Sequence, residues 1–305
     1  MNVKSPLTGS NNTTWLKSIA ISYIKEQYRK QCNIDVSSFF EGLKDISIYR
    51  DNDTGYCFYY PCTVAGDDKF YEKLQQFDWY YMPWKWEHQQ AATLLSKGMK
   101  VLEVGCAQGS FLKKIVNEHQ IEATGLELNK SAAHKANSAG LNVLTETIQG
   151  HAQQHADTYD LVCSFQVVEH IANVNSFLEA QVRVLKPGGK LIISVPNNGG
   201  FLGNDNNNFL NMPPHHMGLW DGNSLKNISN IYGLTHQGNY FEPLQEYHKD
   251  YFKSISISHL PLNNNSLVTR VYRKILSYSL AERLVRSTFS KEFKAFTIQA
   301  VYTKK

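Results

Sequence analysis

Residues 101–112, Val101-Leu102-Glu103-Val104-Gly105-Cys106-Ala107-Gln108-Gly109-Ser110-Phe111-Leu112, decide how this chain is read. A short apolar run ends in a glycine turn and continues into a helical pattern, which makes a strand–turn–helix unit. Gly105 and Gly109 free the backbone for positive φ and for close approach to a ligand. A helix opening near Ser110 aims its unpaired N–H groups at the turn. In a doubly wound α/β sheet such a turn lies at the carboxyl end of a strand, where nucleotide-type ligands bind.

The loop is not a dinucleotide fingerprint. The three glycine positions of G-x-G-x-x-G are Gly105, Ala107 and Ser110 here. Glu103 sets a carboxylate beside the turn, which repels a pyrophosphate and suits a ligand with a cationic amino group. Both features disfavour an NAD-dependent oxidoreductase. A second acid, Glu127, ends the next apparent strand in Ala123-Thr124-Gly125-Leu126-Glu127-Leu128. It lies about 20 residues beyond the turn, where a carboxylate can accept hydrogen bonds from both ribose hydroxyls.

Two further segments extend the pattern. Tyr159-Asp160-Leu161-Val162-Cys163-Ser164-Phe165-Gln166-Val167-Val168-Glu169-His170-Ile171 reads as a buried strand followed by Glu-His. Val184-Leu185-Lys186-Pro187-Gly188-Gly189-Lys190-Leu191-Ile192-Ile193-Ser194-Val195-Pro196-Asn197 reads as a helix end, a Pro-Gly-Gly turn and another buried strand. In this order and spacing, the segments from about 100 to 200 resemble class I S-adenosylmethionine-dependent methyltransferases. The likeness extends to small-molecule, sugar-modifying and ubiquinone-pathway O-methyltransferases. It implies a Rossmann-like α/β fold: a seven-stranded, mostly parallel sheet with an antiparallel last strand and helices on both faces. It implies S-adenosyl-L-methionine as cofactor, held by Glu103, Gly105, Cys106, Ala107, Gly109, Glu127, Leu128, Ile148 and Gln166. Leu141-Asn142-Val143-Leu144-Thr145 is the third strand in this reading, and Glu146, Thr147 or Ile148 flanks the adenine. The departure is Ala107, where many relatives carry a third glycine.

Around this core, residues 1–68 form an N-terminal extension of helix and small β-hairpin, and residues 69–305 form the methyltransferase domain. Residues 1–12 are polar and Asn-rich and are expected to be mobile. Trp15, Leu16, Ile19, Tyr23 and Ile24 predict a helix from Thr13 to about Gln31. Ile46–Tyr49 and Tyr56–Tyr60 flank the turn Asp53-Thr54-Gly55 and predict a hairpin. Some sugar-modifying relatives carry a zinc knuckle there. Only Cys57 and Cys62 are available in this chain, so no four-ligand site is expected.

Phe70 to Trp86 is rich in aromatic residues, Trp79, Tyr80, Tyr81 and Trp84 among them. It reads either as a bracket docking the extension or as a substrate lid. A helix from Glu87 to Lys97 precedes the first core strand. The long Asn198–Asn223 loop carries Met212-Pro213-Pro214-His215-His216, and loops of that length are usually functional. Strands are predicted at Thr235–Phe241 and Phe296–Tyr302, with a helical insertion at about 244–292 between them. Its basic helix, 267–289, is either a solvated face or a docking face for an anionic substrate or a membrane surface.

Composition sets bounds. The formal net charge of +4 does not call for a nucleic-acid partner. Five cysteines without a C-x-x-C pair point to reduced thiols and a cytoplasmic protein. No apolar run suggests a signal peptide or a membrane span.

The chemistry expected is methyl transfer to a hydroxyl of a small molecule or glycan. N- or C-methylation is the alternative within the class, and a non-catalytic cofactor-binding scaffold the alternative outside it. A hydroxyl must lose its proton, and His170, His215 and His216 are the candidate bases. In certain ubiquinone-pathway and small-RNA methyltransferases, E-x-x-E-H at this place, with a later histidine, binds a divalent metal. Here the first position is Gln166, a poorer ligand than a carboxylate. No metal is therefore expected.

Overall fold

The structure is a computed structural model that describes residues 3–77, 82–205, 207–258 and 291–305. Two sheets carry it. The larger is built from the segments read above as strands: β4 (Lys100–Val104), β5 (Glu122–Leu126), β6 (Asn142–Leu144), β7 (Tyr159–Phe165), β8 (Leu185–Pro196), β10 (Leu234–Phe241) and β11 (Thr297–Lys304). Its order is β10-β11-β8-β7-β4-β5-β6. The strands from β8 to β6 pair in parallel, and β11 runs antiparallel to both β8 and β10. This is the Rossmann-like arrangement expected from the sequence.

Near-continuous apolar strands explain why the sheet is covered on both faces. Leu102, Val162, Leu191 and Ile193 face one core, with Val174, Leu178 and Val184 of α7 (Val174–Val184) and Leu225 and Ile228 of α8 (Gly222–Tyr232). Val101, Leu161, Cys163 and Ile192 face the other, with Phe111, Leu112 and Ile115 of α4 (Ser110–His119). The strand order reverses between β4 and β7, which places a topological switch point beside the Gly105 turn.

The smaller sheet, in the order β1-β2-β3-β9, corrects the N-terminal reading. β1 is Thr13–Ala20, β2 Asp45–Asp51, β3 Cys57–Tyr60 and β9 Gly218–Leu219. The expected hairpin is β2–β3. The expected helix over Thr13–Gln31 divides instead into β1 and α1 (Ile21–Cys32). Trp15 and Leu16 are exposed on β1, so they are not the start of a buried helical stripe. That stripe is Ile21, Ile24 and Tyr28, at helical spacing. The mobility expected of residues 1–12 also fails over the described residues 3–12. Val3, Ser5 and Leu7 are buried, Val3 and Leu7 join the main core, and Thr8 Oγ1 donates to Asp51 Oδ2 at 2.6 Å.

β9 is a piece of the Asn198–Asn223 loop, and it pairs with β3. This pairing carries the loop across to the N-terminal sheet. The helix before β4 is α3, Trp86–Ala92, shorter than expected. All five cysteines are free thiols, Cys57 and Cys62 included. Trp79, Tyr80, Tyr81 and the basic helix 267–289 lie outside the described residues. No described helix is long and apolar enough to cross a membrane.

Candidate active site

A cleft of about 900 Å³ runs across the carboxyl ends of β4, β5, β6 and β7. At one end it is lined by Glu103, Gly105, Cys106, Ala107, Glu127, Leu128, Ile148 and Gln166, eight of the nine residues expected to hold the cofactor. Gly109 is the exception. It caps α4 at φ 76°, and a Cβ there would meet Leu141 Cδ1 at 2.4 Å, so its smallness serves packing behind the loop.

The turn is held by the second acid. Glu127 Oε2 accepts from the Ala107 N–H and Oε1 from the Asn129 N–H, each at 2.8 Å. Ala107 is thereby fixed at φ 49°, a left-handed conformation unusual for a residue with a Cβ. Each carboxylate oxygen keeps a second lone pair that can accept a ribose hydroxyl. Burial raises the Glu127 carboxyl above its ordinary range.

Gly105 adopts φ 78°, and a Cβ there would lie 2.6 Å from Val167 Cγ2. The glycine is thus required by the β7 loop pressing on it, as well as by any ligand. Beside the turn, Glu103 is buried and its Oε2 has no hydrogen-bond partner. Burial first, then the charge of Glu127, pushes its carboxyl well up. An orphaned carboxylate oxygen at this place fits a cationic amino group, so the residues present fit S-adenosylmethionine.

Of the segment expected to flank the adenine, Glu146, Thr147 and Ile148 all line the cleft, and Gln149 with them. Gln166 closes this end. It sits at φ 55°, its N–H donates to Ser194 O at 2.8 Å, and its Nε2 donates to Glu87 Oε1 at 3.2 Å. Glu87 is a buried acid that sequence reading did not single out.

The other end of the cleft holds the three candidate histidines. His170 ends a short 3-10 turn, Val168–His170, beyond β7. His215 and His216 come from the long loop. The Met217 N–H donates to Glu169 O at 2.7 Å and ties the two segments together. The His215 and His216 rings stack at 4.5 Å, and the His170 ring lies 4.5 and 4.9 Å from them. One ring nitrogen of each lies within 4.8 Å of the others.

Each ring is oriented through Nδ1: His170 to His215 O at 2.7 Å, His215 to Leu210 O at 2.8 Å, and His216 to Asn211 Oδ1 at 3.0 Å. The first two acceptors are carbonyls, so those nitrogens carry the proton. Burial holds His170 down at about 4 and His215 and His216 well below the ordinary histidine value. All three are neutral at pH 7. Glu169 is buried beside them, one oxygen unpartnered, with burial raising it to about 8.

The expectation of a metal-free site rested on Gln166 and on the incomplete knuckle at Cys57 and Cys62. The structure groups a different donor set, His170, His215 and His216, with no carboxylate in it. The cysteines take no part in it. Sequence reading missed Asp68, Lys85 and His88, which precede the first core strand and line the cleft with Tyr71 of the aromatic stretch. Tyr71 packs edge-on to His170 at 5.5 Å and its hydroxyl donates to His215 O at 3.2 Å. The aromatic bracket is visible in part. Phe70 is buried in the core of the small sheet, while Trp84 stacks on Phe111 of α4.

The fold and this cleft have the architecture of class I S-adenosylmethionine-dependent methyltransferases. The chain belongs to the methyltransferase-domain family, whose profile matches residues 79–237. It is 31% identical over 106 residues to the ubiquinone biosynthesis O-methyltransferase of Pectobacterium carotovorum, covering 33% of this chain and 44% of that protein. The enzyme of the same name from Salmonella enteritidis is 33% identical over 109 residues, covering 34% and 45%. The chain thus spans less than half the length of these relatives. Among solved structures, a chain of the Haloferax volcanii complex with the Trm112 methyltransferase activator superposes with a TM-score of 0.50. It is 16% identical, and the match covers 72% of this chain and 89% of that one.

Proposed function

We propose that this chain transfers the methyl group of S-adenosylmethionine to a hydroxyl of a small molecule or glycan. The observation that carries this reading is the continuity of one cleft from the glycine turn to the three histidines. In it, the Gly105–Ala107 backbone and Glu103 would hold the methionine part, and Glu127 the ribose. The cofactor supplies a sulfonium methyl whose leaving group is already activated. Orientation of the acceptor by the cleft therefore supplies much of the rate.

The acceptor hydroxyl still has to lose a proton. His170 Nε2 can take it, because Nδ1 is committed to the His215 carbonyl. His216, oriented by Asn211, is the second candidate. The test is turnover and S-adenosylhomocysteine affinity in His170→Ala and His216→Ala. Lost turnover with intact affinity supports the reading. Full turnover in both variants would mean catalysis by positioning alone or an acceptor other than a hydroxyl.

One observation favours a second reading, in which the same histidines hold a divalent cation. Their donor atoms converge, and an Nδ1–H donated to a carbonyl is how metal-bound histidines are commonly oriented. Calorimetric titration of Zn²⁺ and Mn²⁺ into chelator-treated protein decides it. Binding lost in His216→Ala supports the cation, and no binding at any histidine removes it.

A further inference from the structure

One ammonium in the cleft has no part in the chemistry above. Lys85 immediately precedes α3, where its N–H donates to His88 Nδ1 at 3.1 Å. Its half-buried side chain lines the cleft, and it is the one lysine or arginine to do so among the described residues. Its charge bears on Glu169 and His170, and on His248, whose ring stacks 4.1 Å from that of Phe296. Lys85, the three histidines and Phe296 line the same cleft.

Among the described residues no carboxylate lies within ion-pair distance of Lys85. Lys100, Lys186 and Lys304, half-buried as well, are paired with Glu122, Asp160 and Asp157 at 3.4, 2.7 and 2.7 Å. A half-buried cation with no carboxylate that close among the described residues has lost hydration that an incoming anion would replace.

Glu103, Glu127 and Glu146 line the cofactor end and the buried Glu169 lies beside the histidines, so among the described residues Lys85 is the one cationic side chain in a lining that carries carboxylates at both ends. Met82, Leu202, Leu210 and Phe296 give the same cleft a stretch of apolar wall.

We propose that the methyl acceptor carries an anionic group, a carboxylate or a phosphate, that pairs with the Lys85 ammonium while an apolar body packs on Leu202, Leu210 and Phe296. This rests on the reading of the histidine end as the acceptor half. Lys85 is then the residue that sets acceptor specificity. Binding energy gained there, away from the reacting oxygen, orients the hydroxyl toward the histidines.

The test is calorimetry on the chain loaded with S-adenosylhomocysteine, using 3,4-dihydroxybenzoate, phenyl phosphate and neutral catechol as probes. At least one anion is expected to bind roughly tenfold tighter than catechol, as for one charge-assisted pair. The tighter anion distinguishes carboxylate from phosphate. In Lys85→Met the preference should collapse to about twofold or less, and Lys85→Arg should restore part of it, with S-adenosylhomocysteine affinity unchanged. The proposal is overturned if neither anion outbinds catechol or if Lys85→Met keeps the preference. It is also overturned if Lys85→Met weakens S-adenosylhomocysteine instead, since Lys85 would then serve the cofactor's own carboxylate. Failure of the unaltered chain to bind S-adenosylhomocysteine defeats the methyltransferase reading first, and this proposal with it.

Discussion

The two ends of the cleft are built in different ways. The cofactor end comes from consecutive strand ends, 103–110 after β4, 126–129 after β5 and 146–149 before and into the next helix, and backbone groups do much of its work. The proposed acceptor end is assembled from segments far apart in the chain: Tyr71, Lys85, His170, His215, His216 and Phe296. Side chains define it, and a short strand pairing, β3 with β9, together with the Met217–Glu169 bond, brings its loop into place. A site made by backbone at strand ends is fixed by the fold. A site made by side chains on loops can change its acceptor without changing the fold.

The comparison breaks first, and hardest, at the histidines. His170→Ala and His216→Ala should lower kcat by on the order of 100- to 10,000-fold, the range for a lost general base. S-Adenosylhomocysteine affinity should stay within about twofold, since neither ring belongs to the cofactor end. Parallel losses of turnover and affinity would show that the two ends are not separable.

At the other end, Gly105→Val should weaken cofactor binding by on the order of 100-fold, because forcing a β-branched residue into positive φ costs about 1–3 kcal/mol before any clash. The clash is with Val167. Calorimetry of a variant that binds normally would reduce the turn to a mere connection. Glu127→Ala removes the ribose acceptors and frees the N–H groups of Ala107 and Asn129. A loss of about 1.5–3 kcal/mol in cofactor affinity is expected from hydrogen bonds to a charged group. Unchanged affinity would mean that Glu127 only braces the loop.

The pH dependence sharpens the contrast. Burial holds His170 at about 4, so it remains a neutral base down to pH 5. kcat/KM should therefore stay nearly flat from pH 7 to pH 5, where an ordinary histidine would lose roughly thirtyfold. For stability, the unfolded chain binds the proton that folded His170 refuses. Its contribution is present above the ordinary histidine value and fades as pH falls toward 4. A rate limb near pH 6.5 would place the base in a more solvated site.

The smallest effect concerns the bracket. Lys114 Nζ of α4 lies 3.9 Å from the Trp84 ring centroid. Lys114→Ala should cost about 0.5–1 kcal/mol in denaturant unfolding, with cofactor affinity unchanged. No loss of stability would show the contact to be incidental.

Legibility followed the same division. Glu103, Gly105 and Glu127 could be read because strand, turn and helix are local patterns with a physical reason at each position. Glu127 was expected as a ribose acceptor, and its bonds to the loop's own N–H groups depend on a turn geometry that spacing does not reveal. His170, His215 and His216 could be marked as chemically able, but their convergence depends on contacts some 45 residues apart in sequence. Lys85 and Glu87 lie where the aromatic stretch passes into the expected helix, a place where a charge ordinarily means a solvated helix start. Thr13–Ala20 was misread because Trp15, Leu16 and Ile19 satisfy a helical spacing, while pairing with β2 decides the outcome. Val3 and Leu7, two apolar residues in a polar stretch, gave no pattern at all.

The central claim is that one cleft sets the cofactor's sulfur facing the histidines. A crystal structure with S-adenosylhomocysteine bound tests it most directly, by the distance from the sulfur to the ring nitrogens of His170 and His216. The account predicts the sulfur beside the Gly105 turn with at least one of these nitrogens within ~10 Å, near enough for an acceptor hydroxyl to lie between them. Both nitrogens beyond that distance, or the nucleoside lying at the histidine end, would contradict it.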